Sequence, residues 1–237
     1  MRIKRWLAVV VLLLPAATSF SCGSKQNLSL SPEQLIERHI NARGGSAALT
    51  AVRSRTVTKR ETDSDGVTTE TVVNTSAPNA ELVISRDAQG KELFRTFFDG
   101  ITGYAELRGE RQSLSENMLQ QLEVDSDIFP ELRFAALFPI ASGSAEETWK
   151  GRKVFRLSAK SKAGYEEKFF FDAESGLMIG LEYPSLSSSY YFDNFETIDG
   201  IKYARTSKIE RGGKSFTVQV VDIKHNIELD RKLNRVN

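Results

Sequence analysis

Two histidines are the first residues in this sequence that could take part in chemistry. His39 and His225 are the only histidines among 237 residues, and they lie far apart along the chain. A metal site would need further ligands from carboxylates, because no pair of closely spaced histidines exists. The sequence also has no G-x-S-x-G elbow, phosphate loop or dinucleotide fingerprint. A triad assembled from distant residues stays open, but we assign both histidines to structural or surface roles and expect no catalysis, no metal and no cofactor.

Paired carboxylates are the second set that could do chemistry, since two acids facing each other across a cleft can hydrolyse glycosides. The pairs are Asp63/Asp65, Asp125/Asp127, Glu146/Glu147 and Glu166/Glu167. Sugar clefts are usually lined by several aromatic residues, and the only tryptophans are Trp6 and Trp149. We therefore expect these acids on solvated turns and faces, and sugar cleavage is a poor match.

Cys22 is the only cysteine and could be a core residue, a reactive thiol or a point of covalent attachment. Three basic residues among the first five, then an apolar run from Trp6 to Leu14, predict a secretory signal over residues 1–21. The run is too short for a membrane span, which needs about 20 apolar residues. In an exported chain a lone thiol has no intramolecular disulfide partner, so a disulfide framework is excluded.

The segment around Cys22 resembles a bacterial lipoprotein signal, in which the cysteine becomes the acylated first residue. Ser21 and Gly23 fit that pattern, whereas Ser19 stands where it usually has an aliphatic residue. The resemblance implies lipidation of Cys22, a tether over residues 22–30, and anchoring at the outer membrane because Gly rather than Asp follows the cysteine. Plain cleavage between Ala17 and Ser21 is the alternative.

The charge balance gives no electrostatic case for a nucleic-acid partner. Without residues 1–21 the chain has 29 basic and 31 acidic residues, so its net charge is near −2. The remaining length is enough for one domain with its own core, which we place at residues 31–237. The sequence predicts no oligomeric state.

Helical signals stand at the start and in the middle of this domain. Ser31, Pro32 and Gln34 predict the capped N-terminus of a first helix that ends at Gly44. A second short helix, Ala47–Val52, would be capped by Ser46.

A helical insertion is predicted between Ser113 and Ser144. Ser115 can cap one helix, and Phe129-Pro130 begins another that Pro139 closes. The small and polar segment Ala141–Ala145 then predicts a mobile connection.

The rest of the chain from Arg55 onward predicts strands. Short β-rich segments alternate with turn signals such as Asp65-Gly66 and Asp199-Gly200, which is typical of an antiparallel meander. We predict an α+β fold: a single large curved antiparallel β-sheet of about 8–11 strands, with the N-terminal helix and the mid-chain helical insertion packed on its concave face.

Aromatic residues occupy both faces of two predicted strands, in Phe169-Phe170-Phe171 and Tyr190-Tyr191-Phe192. Either the outer aromatics cover loops and neighbouring strands, or an apolar ligand cavity lies on the concave side. Strand and helix alternation selects the candidate ligand-binding residues Met118, Leu119, Leu122, Phe134, Leu137, Phe155, Leu157, Phe169, Phe171, Leu177, Ile179, Leu181, Phe216, Val218 and Val220.

Four segments between residues 31 and 230 carry a family resemblance: Ile40–Leu49, Phe171–Leu177, Tyr191–Lys202 and Ile223. They resemble the LolA/LolB superfamily of bacterial lipoprotein carriers and acceptors, especially its outer membrane lipoprotein-sorting members. The resemblance implies an incomplete β-barrel wrapped round helices, with an apolar cavity for acyl chains. The soluble carriers are not lipidated, so a lipidated chain looks more like the anchored acceptor, and no family cavity residue is carried over.

The predicted function follows from these points. We expect a lipid-anchored periplasmic protein at the outer membrane that binds a lipid or an acylated protein in lipoprotein or lipid trafficking. The alternative is a non-catalytic structural or assembly lipoprotein of the envelope with a closed core. A hydrolase acting on lipid or glycan is the third hypothesis.

Overall fold

The computed structural model describes residues 29–228. Cys22, the predicted signal 1–21 and most of the predicted tether 22–30 lie outside the described residues. The helices are α1 (Pro32–Arg43), α2 (Ser46–Ala51), α3 (Glu116–Asp125) and α4 (Phe134–Leu137), with 3-10 turns at Pro130–Arg133 and Pro184–Leu186. The strands are β1 (Ser54–Asp63), β2 (Thr68–Ser76), β3 (Ala80–Asp87), β4 (Glu92–Phe98), β5 (Gly103–Leu107), β6 (Glu110–Ser113), β7 (Ile140–Trp149), β8 (Arg152–Lys160), β9 (Glu166–Asp172), β10 (Met178–Tyr183), β11 (Ser188–Ile198), β12 (Ile201–Arg211) and β13 (Lys214–His225).

The strands of residues 29–228 form one antiparallel sheet in the order β6-β5-β4-β3-β2-β1-β13-β12-β11-β10-β9-β8-β7. The prediction of one large antiparallel sheet is confirmed, and the sheet stays open because β6 and β7 are its two edges. Thirteen strands exceed the predicted range of about 8–11. One reason is the turn at Arg108-Gly109, where both residues have positive φ; it joins β5 to β6, and we did not recognise it in the sequence.

The helical insertion connects the two opposite edges of the sheet. β1 to β6 step outward to one edge, and β7 to β13 return from the other edge to pair with β1. The connection from β6 to β7 therefore has to cross a face of the sheet. Residues 114–139, with α3 and α4, make this crossing, so the predicted insertion is confirmed.

The local sequence signals explain where the main helices begin. Ser31 Oγ accepts a hydrogen bond from the Gln34 N–H, and the Gln34 side chain accepts one from the Ser31 N–H, which confirms the predicted capping box of α1. Ser115 Oγ likewise accepts from the Met118 N–H at the start of α3. The prediction for α2 was wrong by one position, because Ser46 is its first residue rather than its cap.

The segment predicted as a mobile connection is part of an edge strand, so that prediction was wrong. Ala141–Ala145 lies within β7, which pairs with β8 on one side and forms a bridge from Ala145 to Ser29 on the other. Gly143 makes this approach possible, since a Cβ there would lie 2.0 Å from the Leu30 carbonyl oxygen. Small residues in this segment therefore reflect close backbone packing.

Two apolar clusters attach the helices to the concave face of the sheet. The first places Leu35 of α1 and Leu137 of α4 on Phe155 and Leu157 of β8. The second places Leu49 of α2 on the strands that flank the middle of the sheet, together with the chain between α3 and α4. Full burial of each such side chain contributes about 1.5–3 kcal/mol. The helices are therefore fixed at two places, and the space between those places contains the candidate site.

Candidate functional site

Two adjoining cavities lie between the concave face and the helices. One has a volume of about 590 Å³ and is bounded mainly by α1, α4 and the strands from β9 to β13. The other has a volume of about 390 Å³ and is bounded by β4, β5 and α3. Asp125, Tyr183 and Tyr190 border both cavities. We treat the two as one space, the concave groove, whose parts each fall in the range of about 300–1,000 Å³ that is usual for small-molecule sites.

The aromatic strands supply side chains to both faces of the sheet. Phe169 and Phe171 border the groove. Phe170 and Tyr191 point to the opposite face, where the Trp149 ring stacks on them at centroid distances of 4.3 and 5.3 Å. Each of the two interpretations of the aromatics thus describes one face: the outer ones cover neighbouring strands, and the inner ones surround a cavity.

A β-bulge in β10 decides which of its residues reach the groove. The ladder with β9 skips Ile179 between Met178 and Gly180. Met178 and Leu181 consequently both border the groove. Ile179 packs with Val154 on the convex face instead, so its selection as a cavity residue was wrong.

The structure separates the predicted ligand-binding residues into groups. Eight border the groove: Met118, Leu122, Phe134, Phe169, Phe171, Leu181, Val218 and Val220. Leu137, Phe155 and Leu157 do not, because α1 and α4 rest directly on that part of the sheet and make it closed core. Leu177 is buried outside the groove, and Leu119 and Phe216 are half-buried without bordering it.

The C-terminal end of α3 is held over the groove by bonds to the turn between β2 and β3. Ser126 Oγ donates a hydrogen bond to the Asn79 carbonyl at 2.8 Å, and the Ile128 N–H donates to the Pro78 carbonyl at 3.0 Å. These bonds fix the position of Asp125, the last residue of α3. Its carboxylate accepts a hydrogen bond from Gln121 Nε2 at 2.8 Å, and its free surface opens onto both cavities.

Glu167 brings a second carboxyl group to the groove from the sheet. It alternates along β9 with Phe169 and Phe171 and is 2% exposed. Burial, and then the charge of Asp125, raise the pKa of Glu167 to about 8, while desolvation by the surrounding protein raises the pKa of Asp125 to about 6. Glu167 therefore does not lie on a solvated face as we expected, whereas Asp125 is exposed to solvent, in agreement with that expectation. The two-residue period shared with the phenylalanines was the signal that could have located Glu167.

Tyr183 is the third polar side chain at this place, and we call Asp125, Glu167 and Tyr183 together the polar point of the groove. It is the last residue of β10, one step beyond the Glu182–Lys168 pair, so it lies opposite Glu167. Its ring packs edge-on against Tyr190 at 5.9 Å. Burial and the two nearby acids raise the pKa of Tyr183, so its hydroxyl stays protonated.

A buried ion pair connects α1 to the insertion at one end of the groove. The Arg43 guanidinium bonds to the Glu131 carboxylate, and both side chains are largely buried. The guanidinium of Arg43 also lies over the rings of Phe129 and Tyr203, at 5.2 and 5.1 Å from their centroids. This arrangement holds the 3-10 turn of the insertion against α1 and β12.

Both histidines sit in packed, hydrogen-bonded surroundings. His39 is buried, accepts a hydrogen bond from the Met178 N–H at 3.3 Å, and has its pKa lowered to about 4 by burial, so it is neutral at pH 7. The His225 ring lies between the Tyr203 hydroxyl at 2.8 Å and the Asp199 carboxylate at 2.9 Å. These positions support the structural roles assigned to them.

Two general properties of residues 29–228 complete the description. No three or more His, Cys, Asp or Glu side chains in this part of the chain are grouped so that they could hold a metal ion. Over the same residues, no helix has the length and apolarity needed to cross a membrane.

Comparisons with known proteins identify the fold. No family model matches the chain, and no curated protein does. A LolA superfamily protein from Nitrosomonas europaea has a similar structure, with a TM-score of 0.60 and 14% identity over 87% of this chain and 98% of that one. An outer membrane lipoprotein-sorting protein domain from Vibrio parahaemolyticus matches with a TM-score of 0.60 and 13% identity, over 84% and 98% of the two chains. A DUF1329 family protein from Desulfovibrio piger also has a TM-score of 0.60, with 12% identity over 85% and 95%.

At these identities the likeness concerns the fold alone. The predicted incomplete barrel with helices on its concave face is confirmed at that level. The resemblance that the sequence segments carry is therefore confirmed as a resemblance in fold.

Proposed function

We propose that this chain, which has the fold of the LolA superfamily structures, is a non-enzymatic, lipid-anchored protein of the bacterial envelope. In this proposal it binds a lipid or the acyl chain of a lipoprotein in the concave groove and takes part in lipid or lipoprotein trafficking at the outer membrane. One solved neighbour is described as a lipoprotein-sorting domain, and that role is transferred here only as part of the proposal.

The concave groove is the observation that carries the proposal. Its two parts, about 590 and 390 Å³, are lined mainly by apolar and aromatic side chains. Transfer of an acyl chain into such a space removes apolar surface from water and is favourable by roughly 25 cal/mol for each Å². The binding needs little directional chemistry, which suits ligands that differ in chain length.

The alternative of a structural lipoprotein with a closed core is less well supported. A closed core at normal packing density has few voids larger than a water molecule. The groove is far larger than such a void, and it lies where the insertion crosses the sheet. The space is therefore better explained by a ligand than by imperfect packing.

Membrane anchoring through Cys22 is the second part of the proposal. Several acyl chains would attach the chain firmly, since each buried CH₂ contributes about 0.8 kcal/mol. The first described residue, Ser29, forms a bridge to Ala145 of the edge strand β7, so six residues, 23–28, would separate it from the lipidated cysteine. The groove would then stay close to the membrane surface.

A pair of tryptophan substitutions on β13 tests binding in the groove. Val218 borders the groove, and Val221 is 41% exposed. We expect Val218→Trp to fill the groove and weaken uptake of the uncharged probe N-phenyl-1-naphthylamine by about tenfold or more, which corresponds to ~1.4 kcal/mol. Val221→Trp should leave the uptake unchanged. Equal uptake by all three proteins, or no uptake by the unsubstituted chain, would contradict the proposal.

A further inference from the structure

The two parts of the groove meet at a polar point inside a mainly apolar space. Asp125 and Tyr183 border both cavities, and Glu167 borders the larger one. A ligand that extends through the whole groove has to pass these three side chains. Whatever part of the ligand lies there is in contact with carboxyl groups rather than with hydrocarbon.

One carboxyl oxygen of Glu167 has no hydrogen-bond partner at this point. Glu167 is 2% exposed, and its Oε1 atom is buried without a partner among residues 29–228. Most buried polar atoms in folded proteins have a partner, so a bare carboxyl oxygen calls for an explanation. A ligand that donates a hydrogen bond would supply the missing partner.

The neighbouring groups provide too few donors for the acceptors present. The two carboxyl groups have four oxygen atoms, and the donors nearby are the proton of Glu167 itself, the Gln121 amide and the Tyr183 hydroxyl. The Gln121 amide is already bonded to Asp125 through Nε2, and its oxygen accepts from Ser161 Oγ at 3.2 Å. The point therefore favours a ligand group that donates several hydrogen bonds.

The local charge favours a cation over a neutral donor. Asp125 and Glu167 each raise the pKa of the neighbouring Tyr183, and Asp125 raises that of Glu167, so two acids lie within electrostatic reach of each other. Lys59 is a cationic side chain of the same cavity, but it acts on Glu81 and is not among the groups that shift Glu167 or Asp125. At pH 7 Asp125 is the charged acid and Glu167 is protonated, and a bound cation would offset the charge of Asp125 and allow Glu167 to release its proton and accept from the ligand.

We infer that Asp125, Glu167 and Tyr183 form a subsite for a positively charged, hydrogen-bond-donating group, such as the primary ammonium of an amphipathic ligand whose apolar chain occupies the groove. This inference rests on the proposed function, because it requires that the groove binds an amphipathic ligand. It adds the chemical class of the polar group, and it places that group between the exposed Asp125 and the buried Glu167, where the two cavities meet.

Three single-chain amphiphiles that differ only in the head group test the inference. The full chain carrying Cys22→Ser, purified without detergent, is loaded at pH 7 with N-phenyl-1-naphthylamine. Dodecylamine, dodecanol and dodecanoate then displace the probe at concentrations below micelle formation. We expect dodecylamine, which is charged at this pH, to compete about tenfold more tightly than dodecanol, as one charge-assisted hydrogen bond would provide.

Two isosteric substitutions locate the effect. Glu167→Gln and Asp125→Asn should each reduce the preference for dodecylamine by about tenfold and leave the affinity for dodecanol unchanged. Glu166→Gln is the matched control, since Glu166 is the adjacent residue of β9 and is exposed. Circular dichroism and the unfolding midpoint show whether each variant is folded. If Glu167→Gln does not fold, the loss of preference is tested with Asp125→Asn alone.

The outcomes separate the inference from the proposed function. If the probe binds and dodecylamine has no advantage, or if dodecanoate competes best through Lys59, the inference is wrong while the groove remains a binding site. The same conclusion follows if the preference survives both substitutions. If neither the probe nor any amphiphile binds, the proposed function fails first.

Discussion

Glu167 is the residue whose environment differs most from the one its sequence context suggested. It follows Glu166 in a pair of acids, and such pairs are common on solvated surfaces. In the structure the two residues lie on opposite faces of β9, with Glu166 exposed and Glu167 buried. Burial and the nearby Asp125 make its charged form unfavourable.

The raised pKa of Glu167 predicts a pH dependence of stability. The folded chain keeps this proton up to about pH 8, whereas the unfolded chain releases it near the ordinary value of 4.5. The native state binds more protons between these values, so stability falls as pH rises through that window. Between pH 6.5 and 8.5 the unsubstituted chain should lose about 2 kcal/mol of its free energy of unfolding through this group, and Glu167→Gln should not show that loss. Urea unfolding at the two pH values measures it.

The pH range and the control for this measurement follow from neighbouring residues. His39 has a lowered pKa, so its contribution to the free energy of unfolding rises with pH up to about pH 6.5, which is the opposite direction. Measurements above pH 6.5 avoid this contribution. Glu166→Gln should keep the pH slope of the unsubstituted chain. A Glu167→Gln variant with that same slope would show that Glu167 is not protonated in the folded state.

At the scale of elements, the ion pair between Arg43 and Glu131 is the main polar connection between α1 and the insertion. Both side chains are largely buried, so removal of one charge leaves the other without a partner in a poorly solvated place. We expect Glu131→Gln to lower the free energy of unfolding by about 3 kcal/mol.

A surface ion pair provides the comparison for that substitution. Glu70 lies 3.9 Å from Arg60, and both side chains are about half exposed. Glu70→Gln should leave the denaturation midpoint unchanged, because exposed pairs contribute little. If Glu131→Gln behaved like Glu70→Gln, the insertion would have to be held on the sheet by apolar contacts alone.

The elements were predictable from sequence where their signals are local. The capping residues Ser31 and Ser115 marked the starts of α1 and α3 correctly, because a cap depends on residues within one turn. The bulge at Ile179 was not predictable, since alternation alone continues through β10 without a break. The edge pairing of β7 was also missed, because it depends on a distant segment that contacts Gly143.

At the scale of the whole molecule, the order of the strands explains the groove. The chain leaves the sheet at β6 and re-enters it at β7, so residues 114–139 have to span the concave face. The sequence predicted this arrangement in outline, with one large sheet and a mid-chain helical insertion. The volume of the groove could not be predicted, because it depends on how far the helices stand from the strands.

Replacement of Cys22 tests the anchoring part of the proposal. Serine cannot form the thioether that carries the acyl chains of a bacterial lipoprotein, so Cys22→Ser should move the protein from the membrane fraction to the soluble periplasm. Cell fractionation followed by immunoblotting measures this change, and mapping of the mature N-terminus provides the control. A variant that stays in the membrane fraction, or a mature N-terminus before Cys22, would contradict the anchoring.

Native mass spectrometry of the periplasmic Cys22→Ser chain, purified without detergent, tests the central claim most directly. We expect a fraction of the protein to carry additional mass from a lipid or an acyl-bearing molecule, and we expect Val218→Trp to abolish this mass while Val221→Trp does not. A chain that carries no such mass, and that also takes up no added fluorescent fatty acid, would contradict the claim that the concave groove binds a hydrophobic ligand.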